Sequence, residues 1–243
     1  AGGGGGGGFA WGGVVGGSRR GAPCLGLGRR VSGGYHPPYA RPPLAKALWK
    51  GAAESTIGRL TANVGIHERL GRRIVELDLD ARTAADDRGD RYSYEKLLLA
   101  TGGRPRRLPF GGDVIYFRTL EDYHQLRAQA NARSTAAIIG GGFIGSEIAA
   151  ALAMNGVKVT MIFPESGIGA RNYPPALSTF IGSYYGDKGV ELLAGESLTS
   201  VTKQGAKFTL RTASGKSVEA GIVVAGIGTT PNVELAEQGG IEV

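Results

Sequence analysis

The stretch Ala136-Ala137-Ile138-Ile139-Gly140-Gly141-Gly142-Phe143-Ile144-Gly145-Ser146-Glu147 carries the most explicit chemistry in this chain. Gly140, Gly142 and Gly145 fit G-x-G-x-x-G between an apolar strand and a helix-forming run that extends to Met154. In that setting the first glycine permits a tight turn. The second lets backbone N–H groups approach a pyrophosphate, and the third lets helix and strand pack closely. The helix start then offers unsatisfied N–H donors and the positive end of its dipole to phosphate. A dinucleotide is the ligand expected here.

The elements around this turn support that reading. Asn155-Gly156 is a helix stop, and Val157 to Phe163 forms a second apolar strand that completes a βαβ-like unit. Glu165 follows, where an acidic side chain bonds a ribose 2′-OH and so favours NADH over NADPH. Arg171 is near enough in sequence to serve a 2′-phosphate, or is a solvated loop charge. Glu147 lies just inside the helix start, where negative charge is favoured. If buried it needs a cation, and a pair at ~4 Å gains roughly 4 kcal/mol at an effective dielectric of about 20, before desolvation.

Along the rest of the chain, Leu44 to Lys50 reads as a short amphipathic helix and Arg73 to Leu79 as a strand. A turn at Asp86–Asp90 leads to Arg91–Tyr94, and Lys96 to Thr101 is a buried strand. Thr119 to Ala132 and Pro175 to Asp187 read as helices. Val190 to Leu193 is a short strand. Leu198–Lys203, Lys207–Thr212 and Lys216–Glu219 form hairpins, and Ile222–Ala225 is a last buried strand. This order makes an α/β nucleotide domain over residues 116–228. Residues 1–34 are low in complexity, with Gly2 to Gly8 unbroken, and glycine's large entropy loss argues against regular structure there.

Composition excludes several functions. No run of 18 apolar residues exists, so no membrane span is expected. Residues 1–50 contain seven arginines and lysines and no acid, which equals the net charge of +7. The basicity therefore belongs to the N-terminus, and no nucleic-acid-binding face is expected on the body. Cys24 is the one cysteine, which excludes a disulfide-reductase mechanism within this chain and, with His36, His67 and His124, leaves no metal ligand set. The acid-free N-terminus lacks the amphipathic, Ser-rich pattern of a transit peptide. A cytoplasmic setting is expected, with mitochondrion or another organelle as the alternative.

Four segments together resemble the two-dinucleotide-binding-domain flavoproteins, and among them the apoptosis-inducing-factor-like and ferredoxin-reductase-like NAD(P)H oxidoreductases, with monodehydroascorbate reductases as near relatives. They are Pro37 to Lys46, Leu98 to Gly103, Gly140 to Glu147, and Gly226 to Asn232. The resemblance implies an α/β fold of two Rossmann-like domains binding FAD and NADH, with NADPH as the alternative donor. Residues 35–115 would begin the FAD domain, 116–228 would be the NAD(P)H domain, and 229–243 would start the return into the FAD domain. It also implies roles. Arg41, Pro42 and Lys46 would contact FAD, and Lys46 would pair with Glu147 beside the flavin N5 edge. Thr101 and Gly102 would lie at the crossing between the domains, and Arg106 would reach the flavin. Phe143 and Ile144 would border the nicotinamide nucleotide, with Glu165 at its ribose and Gly228 nearby. Electrons would pass to a ferredoxin-like protein, a quinone or a small molecule.

The sequence departs from the family at both ends. The family's own FAD glycine motif would fall at Gly6 and Gly8, but Trp11 stands where a third glycine is needed, so the FAD domain is expected to be degenerate at its start. The family's continuation beyond Asn232 is cut short, so the FAD domain is expected to be incomplete. An alternative follows: a nicotinamide-nucleotide-binding redox sensor, or an inactive fragment that does not retain flavin.

Overall fold

The short, largely apolar runs 136–139, 159–163 and 222–225 suit strands buried on both faces, and in the computed structural model they are buried strands. The structure describes residues 28–59, 66–131 and 133–243, and the backbone alone of 13–17. It divides into two units. One comprises the described residues up to Arg41, Ala53–Arg104 and Thr230–Val243; the other comprises Pro42–Ala52 and Pro105–Thr229.

In the first unit, Gly13–Gly17 (β1) pairs antiparallel with Gly28–Ser32 (β2), which runs parallel to Ile66–Leu70 (β3). Ile74–Asp78 (β4), Thr83–Asp86 (β5) and Arg91–Ser93 (β6) form a separate antiparallel meander. Lys96–Ala100 (β7) then pairs antiparallel with the other side of β1, giving the sheet order β3-β2-β1-β7. The expectation of no regular structure before residue 34 is thereby corrected. β1 is laddered on both sides, and backbone pairing is indifferent to the lack of side chains on Gly13, Gly16 and Gly17; it offsets the entropy that glycine loses. The Gly6–Trp11 segment, with the candidate residues Gly6 and Gly8, lies outside the described residues. Gly103–Pro105 (β8) leads out of this unit.

In the second unit, Leu120–Gln129 (α1) starts at a capping box. The Thr119 hydroxyl accepts from the Asp122 N–H, and Asp122 accepts from the Thr119 N–H. Thr135–Ile139 (β9), Phe143–Met154 (α2), Lys158–Phe163 (β10), Pro175–Asp187 (α3) and Glu191–Ala194 (β11) follow. Leu198–Gln204 (β12), Lys207–Thr212 (β13) and Ser217–Ala220 (β14) form an antiparallel meander before Ile222–Ala225 (β15) returns. The main sheet is parallel, in the order β11-β10-β9-β15. Ala137, Ile139, Ile162, Val223 and Ala225 pack with Phe208 and Leu210 of the meander. Burial on both faces is what a parallel sheet requires, and it explains the continuous apolar sequence.

The helix expected over Leu44–Lys50 is instead two short 3-10 turns, Pro42–Ala45 and Ala47–Lys50. The chain breaks at Lys46, whose φ of −132° and ψ of −87° are not helical. The Leu44 carbonyl, freed from a helical ladder, accepts from the Trp49 indole N–H at 2.8 Å. The chain leaves this unit through Thr229–Pro231 (β16), which pairs with β8, and ends in Glu234–Gln238 (α4) of the first unit. There Leu235 packs with Leu77 and Tyr92. Among the described residues no helix is long and apolar enough to cross a membrane, and no group of three or more His, Cys, Asp or Glu is placed to hold a metal ion.

Candidate functional site

The glycine turn between β9 and α2 is shaped by four separate close approaches. Gly140 has a φ of +107°, and a Cβ on it would lie 2.5 Å from the Gly226 carbonyl oxygen. A Cβ on Gly141 would come within 2.9 Å of the Phe163 ring. A Cβ on Gly145 would overlap the Gly140 carbonyl oxygen, and one on Gly226 would sit 2.8 Å from the Gly145 nitrogen. Gly142 differs: a Cβ there meets nothing within 4 Å. Its missing side chain relieves no contact inside the protein, and the space beside it is open. Gly142 is also the N-cap of α2 and no side chain caps that helix. The first intrahelical bond runs from the Ser146 N–H to the Gly142 carbonyl at 2.9 Å. The N–H groups before it have no acceptor within the helix, which is the donor set that a diphosphate takes up.

Lys46 meets α2 within the same unit. Its Nζ lies 2.9 Å from Glu147 Oε1. Leu44 and Ala45, both buried, anchor the turn that carries Lys46. Trp49 stacks edge-on against Tyr123 at 5.7 Å, and its carbonyl accepts from Asn155 Nδ2 at 3.2 Å. The pair is not buried: the side chains are 55% and 31% exposed. An exposed pair of this kind adds about 0–1 kcal/mol to stability, so fold stability does not account for it.

Glu165 stands just past the end of β10 and is paired with Arg171 at 2.5 Å. Its backbone carbonyl accepts from the Gly195 N–H at 2.9 Å. Phe143, the first residue of α2, is 56% exposed beside the turn, and Ile144 follows it, half-buried. Gly228 has a φ of +102° and its carbonyl accepts from the Arg106 N–H at 2.9 Å. The Arg106 side chain covers the open side of Gly228 at 3.7 Å from where a Cβ would be.

The remaining candidates belong to the first unit, except Pro42, which opens the Pro42–Ala45 turn of the second. Thr101 uses its hydroxyl to donate to the Asn232 carbonyl, and Asn232 Nδ2 donates back to the Thr101 carbonyl at 2.9 Å. Gly102, with a φ of +68°, accepts from the Asn232 N–H at 3.0 Å. Arg41 is partly buried, and burial lowers the pKa of its guanidinium. Its Nε is buried with no hydrogen-bond partner among the described residues, a geometry suited to an anionic group.

A second concavity, about 680 Å³, is lined by Arg107, Asp113, Tyr116, Asp122, Lys203 and Phe208. Gly221, just before β15, also borders it. It therefore sits by the amino ends of the parallel strands, whereas nucleotides in such sheets bind at the carboxyl ends. Within it Lys203 is 2.9 Å from Asp113, and Asp122 caps α1.

Sequence reasoning missed three participants. Gly141 was visible only as one more glycine, although Phe163 requires it. Gly226, just past the end of β15, faces Gly145 from some eighty residues away in sequence. Tyr173 packs edge-to-face on Phe143 with centroids 5.9 Å apart, and no spacing rule links those two positions.

Comparison with known proteins agrees with the geometry. The family model "Pyridine nucleotide-disulphide oxidoreductase" matches residues 3–243. Monodehydroascorbate reductase 3 of Arabidopsis thaliana is 33% identical, over 85% of this chain and 54% of the relative. A rubredoxin-NAD(+) reductase of Pseudomonas putida is 35% identical, over 85% of this chain and 56% of the relative. The reductase chain in the covalent putidaredoxin reductase–putidaredoxin complex superposes with a TM-score of 0.84 at 30% identity, covering 88% of this chain and 55% of that one. The chain thus spans about half the length of the curated relatives it matches. By its glycine turn, its α/β fold and its match over nearly all residues, the chain belongs to the pyridine nucleotide-disulphide oxidoreductase family.

Proposed function

We propose that this chain is part of an FAD-dependent oxidoreductase that takes hydride from NADH or NADPH and passes electrons to a separate acceptor. The observation that carries the reading is the turn at Gly140–Gly145, closed to side chains within the protein yet open at Gly142. Residues 116–228 would bind the nicotinamide nucleotide. The backbone N–H groups of Phe143, Ile144 and Gly145 would hold its diphosphate, and Glu165 would accept a hydrogen bond from a ribose hydroxyl. Phe143 would border the nicotinamide.

Residues 35–115 and 229–243 would contribute to the FAD domain. Arg41, with its unmet Nε, suits the anionic part of that cofactor, and Thr101 and Gly102 would line its site. Lys46, held by Glu147, would keep a positive charge at a fixed place near the flavin. When bound, the nicotinamide and flavin themselves supply the hydride and one-electron chemistry, and the protein supplies orientation and electrostatics. The names of the relatives point to a small iron–sulfur or rubredoxin-like acceptor, with a quinone or small molecule as other choices. Cys24 stands alone in the sequence, so a dithiol relay within the chain plays no part.

The test is a visible spectrum of the purified chain, reconstituted with FAD, before and after anaerobic addition of NADH. A flavin band that bleaches supports the proposal. A protein that binds NADH but retains no flavin would overturn its flavin half, and one that binds neither would overturn all of it.

A further inference from the structure

The connection from β10 to α3, residues 164–174, is fastened at more points than a loop needs. Ile168 is buried, and its carbonyl accepts from the Ser178 hydroxyl at 2.8 Å. The Gly169 N–H donates to the carbonyl of Gly141, inside the glycine turn, at 2.8 Å. Arg171 is tied to Glu165. Tyr173 folds back over the loop: its N–H donates to the Gly169 carbonyl at 2.9 Å. Its ring lies so close over Gly169 that a Cβ there would overlap it, and Gly169 has a φ of +69°. The same ring meets Phe143 edge-to-face, with centroids 5.9 Å apart and planes at 83°.

An exposed phenylalanine at the start of a helix ordinarily moves among its rotamers. Phe143 is held at its edge by an aromatic ring that is itself clamped. We propose that Tyr173 is a positioning residue for nicotinamide binding: by fixing the Phe143 ring beside the glycine turn, it preforms an apolar wall for the flat nicotinamide end of the nucleotide. The inference rests on the nucleotide reading of the turn. Tyr173 acts through Phe143, whose ring it meets edge-to-face. Its influence therefore falls on the nicotinamide end and not on the adenylate end, which Phe143 does not face in this reading.

The test compares calorimetric binding of NADH and of ADP-ribose, which lacks nicotinamide, to the 243-residue chain and its variants. An aromatic pair of this geometry corresponds to about 3- to 10-fold in affinity. Tyr173→Leu is expected to weaken NADH by that factor and leave ADP-ribose unchanged. Tyr173→Phe, which keeps the ring, should behave as the unaltered chain. Phe143→Leu should lose the same factor, and the double variant should lose no more than either single one. Unchanged NADH affinity in Tyr173→Leu, equal weakening of both ligands, or additive losses would overturn the inference. An unaltered chain that binds neither ligand would instead overturn the nucleotide reading on which it rests.

Discussion

The parallel sheet β11-β10-β9-β15 and the mixed sheet β3-β2-β1-β7 have the same number of strands but are held by different physics. In the first, Ala136 to Ile139, Val159 to Phe163 and Ile222 to Ala225 are all buried. Side chains interlock on both faces, so each strand's place follows from what it must hide. In the second, β1 is three-fifths glycine, and β2 buries Arg30 beside Val31 and Ser32. Arg30 reaches Glu68 on the neighbouring β3 at 3.2 Å. That sheet is specified by backbone ladders and a charge pair. Apolar burial fixes a strand through its side chains, while a glycine strand is fixed by its neighbours.

The strongest way to break this contrast is to remove one element from each sheet's support. Leu152, on α2, is fully buried over the parallel sheet, so Leu152→Ala should cost about 2–5 kcal/mol. Hydrogen exchange should show the lost protection in β9, β10 and β15. Glu68→Ala should cost less, about 1–3 kcal/mol, because it strips a partner from a buried guanidinium. Its loss of protection should fall on β1, β2 and β3. If Glu68→Ala leaves exchange in β2 unchanged, the charge pair does not specify that sheet.

The same contrast explains what could be read from the chain beforehand. The βαβ unit was legible because apolar runs, a three-glycine turn and an Asn-Gly stop each have local signatures. The β12–β14 hairpins were legible from Gln204-Gly205 and Ser214-Gly215. β1 and β2 were not, because a strand with three glycines in five and one carrying Arg29 and Arg30 show no hydrophobic period to detect. β3 and β5 were missed for a related reason: Ile66–Leu70 and Thr83–Asp86 alternate too little for their length. In the site, Lys46 and Glu147 were matched through the family resemblance, and their 2.9 Å approach could not have come from spacing alone. The 3-10 break at Lys46 was hidden because a period of 3 and one of 3.6 look alike over seven residues.

Within the glycine turn, two substitutions should separate folding from binding. Gly145→Ala places a methyl group on the Gly140 carbonyl oxygen and should cost about 1–3 kcal/mol of stability. NADH binding should weaken together with that loss. Gly142→Ala meets nothing within the protein, and its φ of −81° suits any residue. Its melting temperature should be unchanged while NADH affinity falls, about tenfold for each 1.4 kcal/mol of lost phosphate contact. Equal effects of both substitutions on melting would mean that the openness at Gly142 is not reserved for a ligand.

Lys46→Ala sharpens the point at the neighbouring pair. The exposure of the pair, 55% at Lys46 and 31% at Glu147, limits the stability change to about 0–1 kcal/mol. If the cation serves the flavin, anaerobic reduction by NADH should slow at least about tenfold, ~1.4 kcal/mol in barrier. An unchanged reduction rate with unchanged melting would remove Lys46 from the site.

The smallest expected effects are in the acid titration, where a well-satisfied carboxylate in each unit serves as the probe. In the second unit, the Ser214 hydroxyl and Lys216 hold Glu196, and its pKa falls from the ordinary 4.5 to about 2. Ser214 donates at 2.7 Å and Lys216 lies 3.0 Å away. In the first unit, burial raises the Asp86 pKa, but bonds from the Tyr92 hydroxyl and the N–H groups of Arg88 and Asp90, with Arg72 nearby, outweigh burial and lower it. Both carboxylates bind a proton more weakly when folded. Their stabilisation is therefore complete above the unfolded pKa and is lost as pH falls through the folded value. For Glu196 that range runs from 4.5 down to about 2. Glu196→Gln should be less stable than the unaltered chain at neutral pH and converge with it across that range. Asp86→Asn should behave alike for the first unit, with the change seen in exchange of the β5–β6 hairpin. The same hydrogen bond works in the opposite direction at high pH. Burial and then Asp86 push the Tyr92 phenol from 10.0 up to about 12, so its contribution is lost as pH rises from 10.0 to about 12. A Tyr92→Phe chain whose melting temperature falls as steeply as that of the unaltered chain over the alkaline range would show that this phenol does not set the alkaline limit of the first unit.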